Sequence, residues 1–385
     1  MRLDKLAVKG EIVMHKRRLG RTELMVSEVG IGGLGIISKL LPNRQAGIDT
    51  VRHALDCGMN YIDTARGYFD AEETIGQAIQ GRREQVILAS KTYLRSGFLA
   101  YKDLETSLAT LNVKHLDMYQ VHHVQYKSEL EQVMAPKGAL EALESAKREG
   151  LIDHIGITSH HTRVLAQALD TGRFDTVMLP FSPVERDGLA EVYAAAKRFD
   201  VGIIAMKVLS SGRLTSVEEA IQFVLAHDIS MCVLGCTTKE HVDRDIAAAE
   251  AFHQLSEAQR QGLLSGSADL KDGFCRRCRI CEGLCPMKIP IADVFRCEDY
   301  LILNATYARN EYRALSRHVP NCIKCGQCDL VCPFHLKVME SLERAHRRLS
   351  RGKLEDCAVN ILHKIKLYDL ARKAYFSLGG GLPER

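Results

Sequence analysis

Eight of the 13 cysteines in this 385-residue chain stand in two runs of one design. Cys275-x2-Cys278-x2-Cys281-x3-Cys285-Pro286 is followed by Cys322-x2-Cys325-x2-Cys328-x3-Cys332-Pro333. Three thiolates this close can grip one iron–sulfur cubane, while the fourth, set further off before a proline, reaches a second. The spacing therefore predicts two 4Fe–4S clusters, one on Cys275, Cys278, Cys281 and Cys332, the other on Cys322, Cys325, Cys328 and Cys285. Zinc sites usually split their ligands into separated pairs, which ill suits runs this dense, and disulfides need an oxidising compartment, against which the lack of an export signal argues. A second group, Asp63, Tyr68, Lys91 and His122, combines an acid, a phenol, an ammonium and an imidazole. A tyrosine of ordinary pKa, about 10, is a poor proton donor or acceptor near neutrality. A neighbouring lysine is expected to lower that pKa, a carboxylate to hold the lysine, and a histidine to orient a carbonyl oxygen. Such a set moves protons at the oxygen of a carbonyl or alcohol.

The elements between these residues must bring them together. Short apolar runs at Glu28–Ile31, Asn60–Ile62, Val86–Ala89, Asp117–Val121, His154–Ile157, Thr176–Leu179, Gly202–Ala205 and Met231–Leu234 read as strands. Each is followed by a segment of helical period, from Arg44–Cys57 to Glu240–Phe252, the later ones opening near Thr162, Asp187, Ser216 and Thr238. Eight such pairs predict parallel strands and a (β/α)8 barrel, with chemistry at the C-terminal strand ends. Asp63, Lys91 and His122 then end adjacent strands, with Tyr68 in a loop between them and His123 facing the other way. His15–Val26 reads as a hairpin under the barrel floor. Gly30-Ile31-Gly32-Gly33-Leu34-Gly35 fits G-x-G-x-x-G, but Pro42 and Asn43 interrupt the chain before any helix. The pattern is therefore read as the first strand's exit loop, with Gly33 beside whatever the mouth binds, rather than as a Rossmann fingerprint.

Tyr61-Ile62-Asp63-Thr64-Ala65-Arg66-Gly67-Tyr68, Ala89-Ser90-Lys91-Thr92 and Leu116-Asp117-Met118-Tyr119-Gln120-Val121-His122 resemble the signatures of the aldo/keto reductases over residues 14–255. The resemblance implies a nicotinamide cofactor, NAD(P)H, bound without a Rossmann fold, a catalytic tetrad of Asp63, Tyr68, Lys91 and His122, and Tyr68 as general acid. It also implies cofactor contacts from Ser159 and His160, from Lys207, Ser210 and Gly212, and from Thr237, Thr238, His241 and Asp245. His160 stands where the family has Asn, Met178 where Gln is usual, His241 where Arg meets a 2′-phosphate, and Asp245 where Asn is usual. These departures leave NAD and NADP both open, since an aspartate would repel a 2′-phosphate.

The 37-residue step from Cys285 to Cys322 carries helical patterns at Ile291–Leu301 and Ala305–Arg317. It resembles an α-helical ferredoxin module, so that the whole resembles a ferredoxin-domain branch of the aldo/keto reductases. The expected division is 1–262 barrel, 263–345 iron–sulfur domain and 346–385 helical tail, whose amphipathic run is Val359–Phe376. Cys57, Cys232, Cys236, Cys297 and Cys357 are left over, Cys232 as core. A formal charge of +4 gives no reason to expect nucleic acid, and no apolar stretch is long enough to span a membrane. The N-terminal residues lack the apolar core of an export signal, so the expected location is the cytoplasm. The expected partners are a small carbonyl or alcohol substrate and a ferredoxin or flavodoxin electron carrier, and a homo-oligomer is compatible with the sequence. Hydride transfer moves two electrons and each cluster one, so two alternatives stand beside the reductase. One is an iron–sulfur electron-transfer protein; the other is a ferredoxin-linked or redox-neutral enzyme using the same tetrad.

Overall fold

The apolar runs fold as strands and the segments between them as helices. The structure, a computed structural model, describes residues 14–186, 188–212, 214, 216–265, 274–301 and 305–350. A hairpin of β1 (Lys16–Arg18) and β2 (Met25–Ser27) precedes eight further strands. These are β3 (Val29–Gly32), β4 (Tyr61–Asp63), β5 (Ile87–Thr92), β6 (Leu116–Val121), β7 (Ile152–Thr158), β8 (Thr176–Pro180), β9 (Gly202–Met206) and β10 (Met231–Leu234). All eight pair in parallel, and β10 joins both β9 and β3 to close the expected (β/α)8 barrel.

The barrel helices bury one face each, as their apolar spacing dictates. Ala139–Arg148, for example, buries Ala139, Leu140, Leu143 and Ala146 against the strands. Thr238 caps Lys239–Gln254 by accepting the His241 amide, as its residue type suggests. Thr162 instead lies inside its helix, after His161, and Asp187 falls outside the described residues. A helix at Lys127–Met134, in the exit loop of β6, had no counterpart among the expected elements.

The hairpin plugs the barrel floor. Leu19 and Val26 are fully buried and pack among Tyr61, Met118, Ile204 and Met231 in the barrel interior. Burial of each such aliphatic side chain contributes about 1.5–3 kcal/mol. Gly202 makes room for the plug, since a Cβ there would lie 2.7 Å from Leu19 Cδ1. With the floor filled, the strands' other end is left for chemistry.

The chain divides into two compact units, residues 1–268 and 269–385. In the second, Ile291–Tyr300 is buried on every face and packs with Ala305–Ala314 and Val338–Ser350. The three acidic residues of that central helix are paired: Asp299 with Arg277, Asp293 with Arg279 at 2.7 Å, and Glu298 with Arg348 at 2.8 Å. The amphipathic run Val359–Phe376 lies outside the described residues. Among the described residues no helix is long and apolar enough to cross a membrane.

Candidate active site and iron–sulfur centres

The tetrad assembles because parallel register aligns its strands. Asp63 on β4 pairs with Ala89 on β5, and Lys91 on β5 with Gln120 on β6. Lys91 Nζ donates to Asp63 Oδ2 at 2.5 Å and to the Thr64 carbonyl at 2.8 Å, while Gln120 Nε2 donates to Asp63 Oδ1 at 2.9 Å. Both charged side chains are essentially closed to solvent. The ammonium lies 4.9 Å from the centroid of the Tyr68 ring, and the Tyr68 hydroxyl lies 3.5 Å from His122 Nε2.

The electrostatics differ from expectation at Tyr68. Burial, reinforced by the charge of Asp63, raises its phenol above the ordinary value rather than lowering it. The reason is geometric: the ammonium is spent on Asp63 and Thr64 and meets the ring face, not the hydroxyl. Burial also pushes the Asp63 carboxyl up and the Lys91 ammonium down, and each opposes the other's shift. His122 is held well below the ordinary histidine range by burial and then by Lys91, so its imidazole is neutral.

Several neighbours of the tetrad were not singled out from sequence. Gln120 shares the inward face of β6 with Met118, an alternation that could have flagged it. The Tyr93 ring lies against His122 at 4.1 Å between centroids. Arg95 donates to the carbonyls of both His122 and His123 at 2.8 Å, which clamps the end of the strand. His123 does not face away as strand alternation implied. The strand ends at Val121, His123 takes a positive φ of 58°, and its ring meets that of His160 at 4.9 Å.

The residues expected to hold a nicotinamide cofactor all lie beyond the C-terminal strand ends, on four exit loops and, for His241 and Asp245, on the early turns of Lys239–Gln254. A Cβ on Gly33, after β3, would lie 2.9 Å from Thr64 Oγ1, so the loop hugs the end of β4. After β7, Ser159 Oγ donates to Gln125 Oε1 at 3.0 Å and the His160 amide donates to the same oxygen at 2.9 Å. After β9, positive φ values at Lys207, Ser210 and Gly212 curl the chain into a tight loop, with the Ser210 and Ser182 hydroxyls 3.0 Å apart. After β10, Thr237 Oγ1 meets His241 Nδ1 at 3.1 Å. Asp245 is not a free negative charge there. It is buried, accepts from Arg244 at 2.7 Å and from the Cys236 thiol at 3.3 Å, and so presents less repulsion to an anion than its residue type implied.

In the second unit the two cysteine runs adopt one backbone twice, 47 residues apart. Positive φ recurs at Arg277 and Lys324, at Arg279 and Gly326, and at Lys288 and His335. The Arg277 amide donates to Cys275 Sγ at 3.4 Å and the Lys324 amide to Cys322 Sγ at 3.4 Å. Glu282 accepts the Ala292 amide at 2.7 Å, and Asp329 the Met339 amide at 3.0 Å. Cys275, Cys278, Cys281 and Cys332 line one cavity, bringing the distant fourth cysteine to the first run. Burial pushes the Cys275 thiol up to about 11 and Cys281 to about 12. Clustered, half-buried thiols of this kind fit a cationic centre, which stabilises the thiolates that desolvation penalises.

A parallel barrel carrying Tyr, Lys, Asp and His at its catalytic end, joined to a unit with eight regularly spaced cysteines, defines an oxidoreductase with an iron–sulfur domain. The chain belongs to the aldo/keto reductase family, whose profile matches residues 28–225, and its second unit matches a 4Fe–4S dicluster domain over residues 274–337. The uncharacterized oxidoreductase YqkF of Bacillus subtilis is 28% identical over 216 residues, 52% of this chain and 67% of that protein. L-galactose dehydrogenase of Arabidopsis thaliana is 26% identical over 291 residues, 63% of this chain and 90% of that protein. Among solved structures, aldo-keto reductase AKR11C1 from Bacillus halodurans superposes with a TM-score of 0.58 at 24% identity, covering 66% of this chain and 98% of that one. An aldo/keto reductase from Klebsiella pneumoniae, solved with NADP and acetate, gives 0.54 at 24% identity, covering 67% and 100%. These likenesses show the barrel fold.

Proposed function

We propose that this oxidoreductase interconverts a small carbonyl compound and its alcohol at the barrel mouth, with NAD(P)H as hydride carrier and two 4Fe–4S clusters in the second unit. The observation that carries the reading is the Asp63–Lys91 ion pair beneath the Tyr68 ring, with His122 at 3.5 Å from the phenolic oxygen. A bound nicotinamide supplies the hydride at the carbonyl carbon. Tyr68, kept neutral by burial, gives its proton to the carbonyl oxygen as negative charge develops there. Lys91 then faces a phenolate and shares its charge between that ring and Asp63. Neutral His122 orients the substrate oxygen by hydrogen bonding.

The curled loop at Lys207–Gly212 has the turned backbone amides that suit a pyrophosphate, with Thr237, Thr238 and His241 toward the adenosine end. Ser159 and His160 would meet the carboxamide, and Gly33 would border the nicotinamide. In the second unit, Cys275, Cys278, Cys281 and Cys332 would hold one cluster and Cys322, Cys325, Cys328 and Cys285 the other. The barrel then occupies residues 1–262, the cluster domain 263–345 and a tail 346–385, in a cytoplasmic protein served by a ferredoxin or flavodoxin. Tyr68→Phe should lower turnover by orders of magnitude while the visible cluster absorbance stays intact; surviving activity would remove Tyr68 as general acid. Anaerobic titration with NADH and NADPH tests the carrier, and binding of neither would sink it.

A further inference from the structure

Away from the mouth, His53, Cys57 and Asp243 converge between the first and last barrel helices. His53 and Cys57 lie one turn apart at the C-terminal end of Arg44–Asp56, where the Cys57 amide caps the helix on the His53 carbonyl. Asp243 projects from the early turns of Lys239–Gln254. His53 Nε2 lies 2.6 Å from Asp243 Oδ1 and 3.7 Å from Cys57 Sγ, and the three donor atoms lie within 4.8 Å of one another. In a tetrahedral site with bonds of about 2.0–2.3 Å, ligand atoms stand roughly 3.3–3.7 Å apart. The nitrogen–sulfur separation is already of that size, and the nitrogen–oxygen pair opens when a cation replaces the shared proton.

The surroundings favour positive charge. The helix C-terminus contributes its negative dipole end, and Asp243 brings a carboxylate to the same point. An imidazole, a thiol and a carboxylate suit a zinc-class cation and not magnesium or calcium, which take oxygen ligands. We propose that His53, Cys57 and Asp243 form a zinc-class divalent-cation site with three protein ligands and one position open to water. The site ties the helix after β3 to the helix after β10, whose early turns also carry His241 and Asp245.

The test uses the intact cluster-loaded protein under anaerobic conditions. Alkylation of Cys57 by iodoacetamide is followed by peptide mass spectrometry, with and without zinc chloride. Zinc should slow modification of Cys57 by at least about tenfold, because metal-bound sulfur is withdrawn from attack. The peptides of the eight run cysteines, followed in the same samples, should not change with zinc. The protection should disappear in His53→Gln and in Asp243→Asn, and zinc should raise the barrel's Tm only in the wild type. An unchanged Cys57 rate in the wild type overturns the site whatever the variants do. So does protection that persists in both variants.

Discussion

Replacing Asp63 by Asn while retaining Lys91 isolates the central electrostatic arrangement of the barrel. The Lys91 and Asp63 side chains are 1% and 4% exposed and meet at 2.5 Å. Unit charges at that distance attract by roughly 7 kcal/mol at an effective dielectric of about 20, and desolvation offsets much of this. Removing one partner leaves the other buried and charged, which costs about 3–5 kcal/mol. Asp63→Asn should therefore lower unfolding free energy by about that amount, and Lys91→Met by a similar amount. The double variant removes both charges and should cost clearly less than the two singles together. The chain has no tryptophan and 12 tyrosines, so urea unfolding of the barrel is best followed by far-UV circular dichroism with tyrosine emission as the second signal. The sign with pH follows from the direction of the shift. Burial holds Lys91 below its ordinary value, so in Asp63→Asn stability should recover as pH rises and the ammonium loses its proton. Additive single effects, or a cost for Asp63→Asn within about 0.5 kcal/mol as for a surface substitution, would refute the closed ion pair.

His122 is held neutral in the fold and gains a proton on unfolding below its ordinary pKa of about 6.5, so wild-type stability should fall on acidification by up to about 1.4 kcal/mol per pH unit from this group. His122→Asn should flatten that part of the slope between pH 7.5 and 5.5 in urea titrations, and identical slopes would contradict the buried neutral imidazole. Gly156→Ala would set a Cβ 2.5 Å from Thr176 Oγ1 and 2.8 Å from Gln120 Cγ, displacing the amide that donates to Asp63. A loss of about 1–3 kcal/mol is expected from equilibrium unfolding, and no loss would mean that Gln120 moves freely. Cys332→Ser should halve bound iron and make Cys275, Cys278 and Cys281 alkylatable; exposure of Cys322, Cys325 and Cys328 instead would reverse the crossed assignment.

Much of this architecture is legible in the chain because local and global signals agree. Val- and Ile-rich runs mark the strands, and the cysteine runs state their own backbone, down to turns repeated 47 residues apart. What sequence could not show are quantities set by distance and burial. A lysine near a tyrosine implies a lowered phenol pKa only if the charges meet without competition. Here Asp63 and Thr64 capture Lys91, and the closed site reverses the sign. His123 escaped the period-2 argument because its left-handed backbone ends the alternation one residue after His122. Arg95 carries no motif, and its role is set by two carbonyls supplied by the end of β6. Ile291–Tyr300 reads as a helix, yet it lies between two others and buries its acidic residues in ion pairs.

The charge balance at the mouth constrains how the two kinds of electron chemistry can share one chain. Asp63 and Lys91 cancel, and Tyr68 and His122 are neutral, so the resting quartet holds no net charge, with Asp63, Lys91 and His122 buried and Tyr68 half-buried. Adding a lone electron to a substrate there would create an unbalanced buried anion, whose desolvation cost nothing in the quartet offsets at rest. A hydride arriving with the Tyr68 proton instead places the negative charge on a phenolate whose ring lies beside the Lys91 ammonium. On the proposed reading, the barrel is thus built for paired electrons and a proton together. On the same reading single electrons belong to the cysteine-rich unit, where Arg277 and Arg279 donate to the acidic residues of a buried helix beside the first run. Any link between the two must therefore convert one-electron steps to a two-electron step before the substrate, or else proceed without electron exchange between them. Tyr68→Phe tests this division of labour: it should lower carbonyl turnover by orders of magnitude while leaving dithionite reduction of the clusters unchanged. A variant in which both fail together would show that the phenol serves the clusters as well.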